Sequence, residues 1–153
     1  MGLDMYLYAK KWIWKHKWDE KEWRKLETLF KKNKHELIGD ADEIRCQAMY
    51  WRKANAIHKW FVENIQSSED DCEAYEVSID QLKELHRVCK KALEERNMSE
   101  YPLSLETTDG FFFGGVDYDD WFWDGVKYTV EHLDALFKRD DLDGWDFEYR
   151  ASW

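Results

Sequence analysis

The two ends of the chain alternate. In "GLDMYLYAK" the apolar Leu3, Met5, Leu7 and Ala9 are separated by Asp4, Tyr6, Tyr8 and Lys10; in "WDFEYRASW" Trp145, Phe147, Tyr149 and Ala151 are separated by Asp146, Glu148, Arg150 and Ser152. A period of two sends successive side chains to opposite faces, so each end predicts a strand with one buried face. Two strands so alike in pattern are expected to be neighbours in one sheet. "YEV" at 75–77 predicts a third, shorter strand, and "FFF" at 111–113, bounded by Gly110 and Gly114, a fourth.

Between the ends the spacing changes to that of helices. Asp19 with Glu22 makes a capping box, Trp18 and Trp23 occupy the positions of a hydrophobic staple, and Leu26, Leu29 and Phe30 carry an apolar stripe to about Lys34. A second start, Asp40 with Glu43, predicts a helix running to about Ile65. Ser78 with Gln81 opens a third, to about Arg96, with Leu82, Leu85, Cys89, Ala92 and Leu93 inward. A fourth begins near Asp117 and buries Phe122, Val126, Val130, Leu133 and Phe137. The pattern predicts an α+β fold, one domain over 1–153, with about four helices packed on a small antiparallel sheet that includes the N- and C-terminal strands.

Within the second expected helix, "YWRKANAIHKWF" (50–61) mixes polar groups with aromatic rings. At 100° per residue, Tyr50, Trp51, Ala54, Ile57 and Phe61 share one arc, His58 falls inside it and Asn55 on its edge. Arg52 and Lys59 point away, and Trp60 lies off the core face. His58, with Asn55, is therefore the candidate catalytic or ligand-contacting pair, because an imidazole titrates near neutral pH. A core histidine held by one hydrogen bond is the plainer expectation.

Composition adds a surplus of rings. Ten Trp, eight Tyr and eight Phe are too many to hide in 153 residues, so some Trp and Tyr are expected on the surface, where they favour binding. "DGFFFGGVDYDDWFWDG" (109–125) offers the place: Tyr118, Asp119, Asp120, Trp121, Trp123 and Asp124 set rings among acids, and Trp60 is a further candidate partner contact. The plainer reading of that stretch is a buried strand, a glycine turn and a helix cap using Asp117.

The net charge of −10 argues against direct binding to nucleic-acid phosphates. It is unevenly spread: +5 over 1–35, −6 over 36–100 and −9 over 101–153. Cys46, Cys72 and Cys89 form no CxxC and are expected to be free thiols in a reducing compartment. No apolar run approaches the length of a membrane span, and the start lacks a basic region followed by a long apolar run. No metal or cofactor is expected. The carboxylate-rich stretches lack the glycine and glutamate of a calcium loop, zinc spacing is missing, and there is no phosphate-binding glycine loop and no nucleophile elbow.

"MGLDMYLYAKK", "YWRKANAIHKWF", "GFFFGG" followed by "YDDWFWD", and "YRASW" together resemble a group of small phage- and prophage-encoded proteins, along the whole chain. The resemblance implies a bacterial host cytoplasm during infection and action by binding a host protein. Anti-CRISPR and other anti-defence inhibitors work in this way, with a defence nuclease or its complex as the partner. Three functions follow as expectations. The first is an inhibitor acting by protein–protein binding, without catalysis. The second is an enzyme or a sponge for a nucleotide or small anion, using a pocket around His58. The third is an assembly role in the phage particle.

Overall fold

In a computed structural model the described residues are 2–13, 42–96, 104–110 and 113–153, with Lys21, Arg24, Lys25, Thr28 and Leu29 between the first two stretches. Strand β1 (Asp4–Trp12) and strand β2 (Glu43–Arg52) are followed by helix α1 (Asn55–Asn64), strand β3 (Ala74–Val77), helices α2 (Ile79–Glu95) and α3 (Asp120–Phe137), and strand β4 (Asp146–Ser152). The fold is α+β, with one antiparallel four-stranded sheet in the order β2-β1-β4-β3. The terminal strands are neighbours as expected, paired from Asp4 opposite Ser152 to Lys10 opposite Asp146.

The alternation decides which face is buried. Leu3, Met5, Leu7, Phe147, Tyr149, Ala151, Val77, Met49 and Trp51 point into a core completed by the apolar stripes of the helices. The other face carries Tyr6, Tyr8 and Tyr50, with Tyr6 and Tyr8 stacked at 5.8 Å. It is closed by ion pairs: Lys10 and Arg45 both reach Glu148 at 2.6 Å, and the Arg45 guanidinium lies 3.9 Å over the Tyr8 ring.

Three helices are described in full rather than about four. Of the helix expected over 19–34, the five described residues are all helical, and the rest lies outside the described residues. The helix expected from Asp40 to Ile65 is overturned. Its first half is β2, its second half α1, and Lys53 between them takes a left-handed φ of 55° that ends the strand. A β-bulge hides the strand's period: the register shifts between Leu7 and Tyr8, whose partners Met49 and Gln47 skip Ala48. The positions on the Leu7 face therefore change parity, from Ile44 and the exposed Cys46 to the buried Met49 and Trp51, which breaks the strand's period of two.

The other elements follow their signals. Ser78 and Gln81 form the full capping box of α2, with bonds of 3.2 and 2.8 Å, and β3 covers the expected "YEV". The cap of α3 is Asp119, not Asp117; its Oδ1 accepts from the Phe122 N–H at 2.9 Å. In the expected "FFF" strand, residues 111 and 112 lie outside the described residues, and Phe113 is a buried residue at a bend.

Candidate functional site

The two stretches that stood out in the sequence meet in space. The turn from β2 into α1 packs against the glycine loop before α3 and the first turns of α3. Three devices hold them together. Asn55 is buried and clamps the loop: its Nδ2 donates to the carbonyls of Gly115 at 2.7 Å and Phe113 at 3.4 Å, while its Oδ1 accepts from the Thr108 N–H at 3.4 Å. Gly114, at φ +90°, lies so close to the turn that an added Cβ would stand 3.3 Å from the Lys53 Cβ. Gly125 lets α3 pass alongside Ala54, where an added Cβ would stand 3.9 Å from the Ala54 Cβ. Beneath them the Trp51 indole donates to Thr129 Oγ1 at 2.8 Å, and Thr129 in turn donates to the Gly125 carbonyl.

Above this seam lies a largely apolar groove of about 630 Å³. One wall is the β2–α1 turn, with Tyr50, Arg52 and Lys53. The other carries Asp117, Asp119, Trp121 and Asp124, with Tyr128 further along α3. Trp121 is 64% exposed, the most exposed large apolar side chain among the described residues, and Val116 beside the groove is exposed too. An exposed indole over a concave, partly apolar surface ringed by charge has the anatomy of a binding site, since such rings supply contact area at low entropic cost.

Of the expected partner contacts, the structure brings Asp119, Trp121 and Asp124 to this groove. Asp120 is exposed outside it and faces Arg96 at 3.5 Å. Tyr118 is half-buried and packs edge-on to Phe122. Two contacts are corrected. Trp123 is 5% and Trp60 7% exposed, so neither displays a ring to a partner. Trp123 points inward on α3, donates to the Tyr118 carbonyl at 3.1 Å and is covered by Arg96 at 4.9 Å. Trp60 joins the core because α1 is enclosed on more than one side; Asn55, Ala56, Ile57, His58 and Phe61 are buried with it.

His58 is inward as expected, with an exposure of 0%, but it does not line the groove. Its Nδ1 stands 2.7 Å from the Tyr149 hydroxyl and its Nε2 3.0 Å from Asp70 Oδ1. Asp70 is a carboxylate and only accepts, so Nε2 carries the proton and Nδ1 accepts from the Tyr149 O–H. Burial lowers the His58 pKa, opposed by the Asp70 charge, which favours the neutral imidazole. Burial, reinforced by Asp70, raises that of Tyr149. Phe113 at 5.0 Å and Trp153 at 5.5 Å wall in the ring. Asn55 and His58 therefore do not share a site: both touch Phe113, Asn55 through its carbonyl and His58 through its ring.

Asp70 sits in a tight connection between α1 and β3, where Ser67 and Ser68 take φ of 54° and 65°. Gln66 is buried there and donates to the Glu69 carbonyl at 3.0 Å, and its Oε1 has no partner among the described residues. Sequence reading missed this relay. Tyr149 offered one signal, a tyrosine at an inward strand position, whose hydroxyl must find a partner. Asp70, in "SSEDD", offered none. Arg52 was missed as a groove residue because it was placed on an outer helix face, and Lys53 was given no role.

Among the described residues no group of three or more His, Cys, Asp or Glu could hold a metal ion, and no helix is long and apolar enough to cross a membrane. No protein-family model, curated protein or solved structure matches the chain.

Proposed function

We propose that this chain acts by binding, with a segment of a partner protein seated in the groove between the β2–α1 turn and the N-terminal turns of α3. The observation that carries the reading is Trp121, 64% exposed beside Asp117, Asp119 and Asp124 on the lip of a 630 Å³ groove. The groove's parts are held by side-chain clamps, so its shape is pre-organised, which lowers the entropy lost on binding. The resemblance to phage and prophage proteins supplies the context. The partner is a host protein of the bacterial cytoplasm, and the consequence of binding is inhibition of a defence function, in the manner of an anti-CRISPR or other anti-defence protein.

A catalytic or ligand-sponge role centred on His58 has weaker support. The ring has no exposed surface and both its nitrogens are engaged, so a ligand would first have to displace Tyr149 or Asp70. The relay reads as a structural pin between α1, β4 and the loop at Asp70.

The test is capture from lysates of phage-infected bacteria with the wild-type chain and Trp121→Ala. A single host protein retained in stoichiometric amount by the wild type and lost with the variant is expected, at unchanged melting temperature. Equal retention by both, or no retained protein, refutes the reading.

A further inference from the structure

The groove is electrically polarised across its width, and this bears on what it takes. Arg52 and Lys53 stand on the β2–α1 wall; Asp117 and Asp124 stand on the opposite one. None of the four side chains has an ion-pair or hydrogen-bonding partner among the described residues. Elsewhere exposed charges find each other, as in Lys59 with Glu106 at 2.9 Å and Arg139 with Asp141 at 2.6 Å. Across the groove no salt bridge joins the two signs, although all four residues line it. The apolar floor at Ala54 and Gly125 lies between them.

Resting on the binding reading above, we propose that the groove takes a peptide segment of a partner protein carrying both signs. A basic side chain lies over the exposed Trp121 ring toward Asp117 and Asp124, and an acidic one lies toward Arg52 and Lys53. A cation over an indole face gains from the ring's quadrupole as well as from the carboxylates. The same layout disfavours a nucleic acid. Its phosphates would suit Arg52 and Lys53 but would also face Asp117, Asp119 and Asp124. Matched opposite charges on two walls fix the direction in which a segment lies, so they supply register and partner choice more than affinity.

The test is selection of a random, end-capped octapeptide library on the intact chain, with affinities of the selected peptides measured by NMR titration. Selected peptides are expected to carry Arg or Lys and Asp or Glu at a fixed spacing, and to shift Gly114, Gly115 and the Trp121 indole N–H. Each exposed pair contributes roughly 1.4- to 5-fold in affinity, so D117N/D124N and R52Q/K53Q should each weaken binding by about 2- to 25-fold. All four residues are exposed, and both variants should keep the wild-type melting temperature. The effect of D117N/D124N should vanish when the peptide's basic residue is replaced by Gln, and that of R52Q/K53Q when its acidic residue is. Groove-binding peptides of one sign or none, no selected peptide at all, or tighter groove binding by an eight-nucleotide single strand overturns the polarity proposal. Peptides that bind Trp121→Ala as tightly as wild type overturn the groove reading itself.

Discussion

Removing one oxygen from Tyr149 isolates the buried relay. Tyr149→Phe keeps the ring, and with it the stack on Phe61 at 3.8 Å and 6°, and removes only the hydroxyl. His58 cannot compensate by exchanging tautomers, because its Nε2–H is committed to Asp70. Nδ1 is left as a buried acceptor with no donor, at a cost of about 1–3 kcal/mol. With a urea m-value of about 2 kcal/mol/M, the midpoint should fall by roughly 0.5–1.5 M at unchanged m. Urea unfolding at pH 7.5, followed by far-UV circular dichroism, reads this directly. His58→Leu combined with Tyr149→Phe should be less destabilised than the sum of the single variants, since it removes both polar partners together. A midpoint within about 0.2 M of wild type for Tyr149→Phe, or strict additivity in the double variant, would refute the assigned hydrogen bonding.

Other consequences follow from the same geometry. The His58 pKa is lowered on folding, so the unfolded chain binds the extra proton first; stability is full above about pH 6.5 and is lost as pH falls below it. Unfolding at pH 7.5 and 5.5 should show the loss in wild type and a shallower one in His58→Leu, and equal slopes would contradict it. Asn55→Ala removes the loop clamp, and hydrogen exchange at residues 113–116 should accelerate with a stability loss of about 1–2 kcal/mol; unchanged exchange there would mean that the clamp does not hold the loop. Gly114→Ala places a side chain at φ +90° and 3.3 Å from the Lys53 Cβ, so thermal unfolding should show a loss of about 1–2 kcal/mol, and a neutral result would rule out the close seam.

What could be read in the sequence was whatever one element decides alone. Tyr149 and Leu7 were placed inward by strict alternation, and Ser78 and Gln81 announced the start of α2 because a capping box is local chemistry. Strand β2 was not legible. Glu43, Arg45, Gln47, Ala48 and Met49 are good helix formers, and the bulge at Ala48 breaks the period that would have marked a strand. The wheel drawn through Tyr50 and Trp51 therefore joined two elements that a left-handed Lys53 separates. It still placed His58 correctly, because that residue lies in the part that is helix. The groove was legible in halves. Asp119, Trp121 and Asp124 stood out by composition, but their meeting with Arg52 and Lys53 depends on long-range packing through Gly114 and Gly125, which no local pattern encodes.

The most direct measurement is a hydrogen-exchange footprint of the chain alone and in complex with its captured partner. Slower exchange in the complex is expected at residues 52–57, 113–117 and 119–126, the two walls of the groove and its glycine seam. Protection confined to the Tyr6 and Tyr8 face of the sheet, or to the outer face of α2, with the groove exchanging as in the free chain, would contradict it.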